Sequence, residues 1–153
     1  MPEHARFSYL GDPEKTAAAW RDAADGRQAF TVGDLGRLDD EGYLHLDGRR
    51  EDLIISGGVN VYPLEVEQAL LEHPGVEDVA VHGVPDEQWG QRVCAAVVGS
   101  ATEEELVAHA RERLAPPKRP KTWTFLDELP RTLTGKVRRD LLVEVREPGS
   151  ASP

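Results

Sequence analysis

The order of predicted elements after residue 52 is the feature that most restricts the fold of this chain. Apolar periodicity and turn formers predict strand, helix, strand, strand, helix, strand and helix in that stretch. The predicted elements cover residues 53–55, 63–73, 76–84, 92–98, 102–114, 123–126 and 137–145. Adjacent strands mixed with single helices indicate a small α+β domain.

Two of these helices carry start and stop signals. Pro63 suits the first turn of a helix, and Pro74-Gly75 ends it. Thr102 and Glu105 have the spacing of a capping box, in which each side chain accepts a backbone hydrogen bond at the helix start.

The chain before residue 52 has a different pattern. A loosely helical stretch begins at Asp12, and two strands over 30–38 and 43–46 are joined by a turn-rich loop. Residues 48–52 break this pattern and mark the candidate boundary. We expect a first segment over 1–48, a hinge over 49–52, a domain over 53–146 and a disordered tail over 147–153.

The charge is unevenly distributed. The chain has a formal net charge of −10, yet residues 111–139 contain nine basic and three acidic side chains. A basic island in an acidic protein favours a small anionic ligand over a nucleic acid, because the acidic surroundings repel a long polyanion. A solvated basic face is the alternative.

Several classes of protein are disfavoured by what the sequence lacks. Cys94 is the single cysteine, which excludes an internal disulfide framework, and the five histidines lack metal-ligand spacing. The first residues have no secretory pattern, and the longest nearly apolar run, 93–99, is too short to span a bilayer. We therefore expect a cytoplasmic protein without a metal site of its own.

Four segments, taken together, resemble the adenylate-forming superfamily of acyl-CoA synthetases, adenylation domains and luciferases. They are TVGDL at 31–35, GRRED at 48–52 leading into ISGGVNVYPLEVE at 55–67, VPDEQWG at 84–90, and LPRTLTGKVRR at 129–139. The similarity extends over about residues 7–145. It implies the end of a large AMP-binding domain followed by the small C-terminal domain, a short β-hairpin plus a three-stranded sheet flanked by helices.

The resemblance also implies a reaction. Such enzymes join an acid to ATP as an acyl-adenylate, and a thiol, usually that of coenzyme A, then displaces AMP. The superfamily's phosphate loop and acid pocket belong to the large N-terminal domain, as does most of the Mg²⁺ site. We therefore expect the chain to need that domain, either fused to it or as a separate subunit, and to be inactive alone.

Four positions match nucleotide, hinge and catalytic residues of that family. Asp34 matches the carboxylate that binds the ribose hydroxyls of AMP, and Arg49 matches an arginine beside the same nucleotide. Glu51 stands where relatives place Asp or Lys as the pivot, and Asp52 is a second candidate for that task. Lys136 matches the lysine that bridges the substrate carboxylate and the α-phosphate during adenylation.

The remaining candidates match the thiol-donor site. Gly57 and Gly58 match the loop along the pantetheine arm of CoA, where a backbone without side chains permits close approach. Trp89, Arg119 and Lys121 resemble positions that meet the nucleotide end of CoA. Two alternatives stay open: an enzyme that loads a carrier protein, and a non-catalytic domain that binds CoA or a partner.

Overall fold

A computed structural model describes residues 7–144, which divide into two compact units between Glu51 and Asp52. The first unit contains helix α1 (Pro13–Ala19) and the hairpins β1 (Trp20–Asp22) with β2 (Gln28–Phe30) and β3 (Asp34–Leu38) with β4 (Leu44–Arg49). A 3₁₀ turn covers Arg50–Asp52. The predicted tail over 147–153 lies outside the described residues.

The first unit differs from its prediction in two respects. The helical stretch, expected to continue through Trp20 and Ala23, ends at Ala19, and Trp20–Asp22 is strand β1 of a hairpin. The single strand expected over residues 30–38 is two strands, because Phe30 ends β2 and Asp34 begins β3. Gly33 lies between them with a φ of 89°, a left-handed backbone that interrupts an extended strand. Each strand therefore pairs with its own neighbour in sequence, β1 with β2 and β3 with β4.

The second unit contains the remaining five strands and three helices among the described residues. They are β5 (Ile54–Ser56), β6 (Val59–Val61), α2 (Pro63–Leu71), β7 (Val76–Asp86), β8 (Gly90–Gly99), α3 (Glu103–Arg113), β9 (Thr122–Phe125) and α4 (Arg139–Glu144). The α+β prediction is confirmed, with a β5–β6 hairpin and the three strands β7, β8 and β9.

Strand β8 is the centre of this sheet. It pairs antiparallel with β7 over its whole length, while β9 pairs parallel to its other edge. The hairpin joins that sheet through Ser56, which pairs with Gly90. The hairpin and the three-stranded part therefore form one five-stranded sheet.

Both faces of the sheet are covered, which follows from the alternation of side chains along β7 and β8. Val81 and Val93 face a core that includes Leu70 of α2 and Leu106 of α3. Ala80 and Ala96 face the opposite cluster, which includes Leu142 of α4. The capping box of Thr102 and Glu105 is present at the start of α3.

Among residues 7–144, no helix has the length and apolar character needed to cross a membrane.

Candidate active site

Lys136 lies in a tight loop that leads into α4. The Thr132 N–H donates to the Lys136 carbonyl at 2.8 Å, and the Gly135 N–H donates to the Thr132 carbonyl at 2.9 Å. The Arg138 N–H closes the base of the loop by donating to the Pro130 carbonyl at 2.8 Å. Gly135 has a φ of 84°, which a side chain would strain. The backbone thus fixes the loop's shape and leaves Lys136 exposed.

A charged network lies just beyond Lys136. Buried Glu67 of α2 accepts hydrogen bonds through Oε1 from the Val81 N–H at 2.8 Å and from Arg139 Nη2 at 2.7 Å. Arg139 Nε donates to the Val81 carbonyl at 3.0 Å, and Nη1 lies 3.6 Å from Asp52 Oδ2. Arg139 therefore connects helix, sheet and the first residue of the second unit.

Sequence reasoning missed this network, although one signal was present. Glu67 occupies the apolar stripe of α2, with Val66 and Leu70, and all three are buried. A carboxylate on a buried stripe needs a partner, because an unpaired buried charge is costly. That requirement indicates a basic partner elsewhere in the chain, which the structure identifies as Arg139.

His82 lies in the interior close to this network. Burial, and then the positive charge of Arg139, lowers the pKa of His82 from 6.5 to about 4. The ring is therefore neutral at physiological pH, and its Nδ1 has no hydrogen-bond partner among the described residues.

Four of the predicted thiol-site residues come together. Gly57 and Gly58, with φ of 58° and 78°, form the two-residue turn of the β5–β6 hairpin. The Gly57 N–H donates to the Trp89 carbonyl at 2.8 Å, and a Cβ on Gly57 would lie 3.1 Å from the Trp89 ring. Lys121 Nζ lies 4.1 Å from the centre of that ring, in a cation–π contact.

The position of Trp89 is fixed by the turn between β7 and β8. Asp86 Oδ1 accepts hydrogen bonds from the Gln88 and Trp89 N–H groups, each at 3.0 Å. Asp86 is a supporting residue that sequence reasoning missed, although it lies within the VPDEQWG motif. Gly58 faces open space, since a Cβ there would meet nothing within 4 Å.

Arg119 and Lys121 line a surface groove of about 300 Å³ beside α3. Arg119 Nε donates to the Leu114 carbonyl at 2.8 Å, and Nη2 donates to the Arg111 carbonyl at 3.1 Å. Its guanidinium is therefore held at the end of α3. Lys118, next to it in sequence, is paired with Glu65 instead.

The nucleotide and hinge candidates lie in the first unit. Asp34 and Arg49 are cross-strand partners of β3 and β4, and Arg49 Nε lies 3.3 Å from Asp34 Oδ1. Arg49 Nη1 lies 3.5 Å from Glu51 Oε1. The three predicted residues thus form one exposed charged cluster.

The donor sets determine which ligands the described residues fit. A carboxylate beside an arginine suits a ribose diol next to a phosphate, and the basic groove suits phosphate groups. Residues 7–144 contain no group of three or more His, Cys, Asp or Glu side chains that could hold a metal ion.

Comparison with known proteins identifies the class. The profile of the AMP-binding enzyme C-terminal domain matches residues 65–136. The chain therefore contains the C-terminal domain of the AMP-binding enzymes, and the predicted relationship to the adenylate-forming superfamily is confirmed.

Similar proteins include CoA ligases. A long-chain-fatty-acid–CoA ligase of Bacillus subtilis is 47% identical over 140 residues, which are 89% of this chain and 24% of that protein. A 2-succinylbenzoate–CoA ligase of Bacillus mycoides is 51% identical over 119 residues, 76% of this chain and 25% of that one. The chain thus spans about a quarter of the length of these curated relatives.

Solved structures agree with this result. o-Succinylbenzoate CoA synthetase of Bacillus subtilis, in complex with its acyl-adenylate intermediate, is 40% identical with a TM-score of 0.82, over 91% of this chain and 28% of that one. A fatty acyl CoA synthetase of Mycobacterium tuberculosis is 43% identical with a TM-score of 0.66, over 90% of this chain and 27% of that one.

Proposed function

We propose that this chain is the C-terminal catalytic portion of an AMP-forming acyl-CoA ligase. Such an enzyme converts an acid, ATP and CoA to acyl-CoA, AMP and pyrophosphate. The observation that carries the proposal is that one folded unit presents both an ordered lysine loop and a basic groove beside Trp89. The first serves adenylation, and the second serves the thiol donor.

Lys136 is the residue we assign to adenylation. In that step the acid carboxylate attacks the α-phosphorus of ATP and pyrophosphate leaves. Two anions approach each other, and an ammonium group between them lowers the barrier. The backbone bonds of the loop hold Lys136 ready for this task, so little reorganisation is needed when the substrates bind.

Asp34 and Arg49 are assigned to the nucleotide. The Asp34 carboxylate can accept hydrogen bonds from both ribose hydroxyls, and Arg49 beside it supplies positive charge for a phosphate. Mg²⁺ is assigned to ATP and the AMP-binding domain.

CoA is the thiol donor we assign to the groove. Its thiolate attacks the acyl carbon, and AMP leaves with the electrons of the acyl–phosphate bond. Gly58 faces open space that can take the pantetheine arm, and Gly57 allows the Trp89 ring to pack closely against the same turn. Arg119 and Lys121 provide charge for the CoA phosphates, which a carrier-protein arm lacks in part. The basic groove therefore favours CoA over a carrier protein.

The hinge is assigned to Glu51 rather than Asp52. The Asp52 carboxylate lies near Arg139, which Glu67 and the Val81 carbonyl hold in place. Asp52 is thereby attached to the second unit, whereas Glu51 belongs to the charged cluster of the first. A change of backbone angles at Glu51 would rotate one unit against the other.

The proposed partner is an AMP-binding domain, in the same chain or as a separate subunit, and the substrate is a carboxylic acid. Exposed apolar side chains of the first unit support such a partner, among them Tyr43, Leu44 and Leu46. We assign the protein to the cytoplasm, a reducing compartment that suits its single, free Cys94.

The test measures the two half-reactions separately in the assembled enzyme, that is, this chain with its AMP-binding domain. Lys136→Ala should slow acyl-adenylate formation by ~10²–10³-fold, the scale of losing one preorganised charge. Thioester formation from supplied acyl-adenylate should stay near the wild-type rate, because the hinge rotation carries Lys136 away from the reacting atoms.

Lys121→Ala is the matched control, since it removes the same functional group from the groove. It should raise the KM for CoA and leave adenylation unchanged. Adenylation that survives Lys136→Ala would contradict the proposal, as would an equal loss of both half-reactions.

A further inference from the structure

Arg131 connects the Lys136 loop to strand β7. Its Nη1 donates to the Gly135 carbonyl at 2.8 Å, in the peptide that directly precedes Lys136. Its Nη2 donates to Asp78 Oδ2 at 2.5 Å. The two donors of one planar guanidinium therefore hold the loop and the sheet at a fixed separation.

Asp78 is itself fixed by the strand. Its Oδ1 accepts a hydrogen bond from the Val79 N–H at 3.0 Å. The register of β7 against β8 shifts between Val76 and Asp78. A β-bulge of this kind re-aims the side chains that follow it, and here it precedes the carboxylate that receives Arg131.

The apolar contacts of the loop lie at its two ends, where Leu129 is buried and Val137 packs against the same cluster. Buried Leu129 anchors the chain before the loop, and Arg139 anchors the chain after it. Leu133 at the tip is fully exposed, so its side chain contributes no apolar packing there. The backbone bonds within the loop fix its shape, but they do not fix its orientation on the sheet.

We propose that Arg131 is a positioning residue for Lys136, acting through the Gly135 carbonyl with Asp78 as its anchor. This rests on the proposed function, since it assumes that Lys136 acts in adenylation. Arg131 needs no contact with substrate for this role. Its loss lets the tip pivot, and a displacement of about 1 Å at a reacting group is enough to cost up to ~10²-fold in rate.

The experiment compares four variants in the assembled enzyme, with both half-reactions measured for each. Arg131→Ala should slow adenylation roughly 10- to 50-fold through a lower kcat, with the KM for ATP little changed. Arg131→Lys should restore little, because an ammonium cannot bridge both acceptors in the fork geometry. The adenylation rate of Asp78→Asn should lie between those of Arg131→Ala and wild type. Arg138→Ala removes another positive charge near the loop and is the control.

The double variant Arg131→Ala/Asp78→Asn should be no slower than Arg131→Ala, because both changes break one bridge. Thioester formation from supplied acyl-adenylate should stay within about twofold of wild type in every variant. A loss in both half-reactions would show a general effect on the fold and would overturn the proposal.

Lys136→Ala in the same assay distinguishes failure of the proposed function from failure of the positioning role of Arg131. If Lys136→Ala slows adenylation and Arg131→Ala does not, only the positioning role is overturned. If Lys136→Ala has no effect, the proposed function fails and the positioning role fails with it.

Discussion

The two units of the chain bury their apolar residues to very different degrees. Between residues 7 and 51, Ala19 is the only buried side chain, and the strands of both hairpins are largely exposed. The second unit has a core on each face of its sheet, in which Leu70, Val81, Val93 and Leu106 are fully buried. Both units have strands, but only the second encloses a core.

The difference indicates how each unit is stabilised. Isolated two-stranded hairpins are marginal in water, whereas a sheet covered by helices stabilises itself. Phe30, Leu38 and Leu46 of the first unit are each more than half exposed. We interpret this surface as one that the proposed AMP-binding domain covers, whereas the second unit has a core of its own.

The largest expected effect is on stability. The same Leu→Ala substitution, made once in each unit, should show the contrast between them. Leu70→Ala should destabilise the second unit by roughly 3–4 kcal/mol, because it leaves a cavity in a fully buried site. Leu46→Ala is the control, and in this chain it should change stability by less than about 0.5 kcal/mol. Chemical denaturation of both variants checks this, and similar losses would contradict the contrast.

A smaller effect concerns the pH dependence of the second unit. The folded chain holds the pKa of His82 at about 4, below the ordinary 6.5. Between these values the unfolded chain binds a proton that the folded chain does not, so stability falls as pH falls. From pH 7 to pH 5 this costs about 2 kcal/mol, and the loss from this group ends below about pH 4.

His82→Gln should remove that part of the dependence, since it keeps a polar side chain but does not titrate. Denaturation at pH 7 and pH 5 measures the difference between variant and wild type. A variant with the same pH slope as wild type would show that His82 is not the group responsible.

The smallest expected effect is on the KM values for CoA and ATP, which we assign to different units. Arg119→Ala with Lys121→Ala should raise the KM for CoA roughly tenfold, because each partly solvated charge contributes about 1 kcal/mol or less. Asp34→Asn should raise the KM for ATP instead and leave the KM for CoA unchanged. If both variants raise the KM for the same substrate, the assignment of CoA to the second unit and ATP to the first is wrong.

Local signals in the sequence predicted much of the second unit. Turn formers and caps located α2 and α3 closely, and Pro63 and the capping box at Thr102 are present as predicted. Helix α4 begins at Arg139, two residues later than expected, because Val137 pairs with Arg131 across the loop. Periodicity alone does not detect such a bridge.

The side-chain network depends on contacts between distant residues and was not predicted. Arg139 and Glu67 are 72 residues apart, and Arg131 and Asp78 are 53 apart. Motif resemblance suggested roles for Lys136 and Asp34, but it gave no partner for Arg131 or Arg139. Their partners follow from the fold, which brings β7 beside α2 and α4.

Backbone hydrogen exchange tests most directly whether the first unit depends on an AMP-binding domain and the second does not. In this chain alone, amides of β7 and β8 should exchange only through global unfolding, and amides of β3 and β4 should exchange far faster. Adding the AMP-binding domain should slow β3 and β4 strongly and leave β7 and β8 nearly unchanged. Equal protection of both units in the chain alone, unaltered by that domain, would contradict the account.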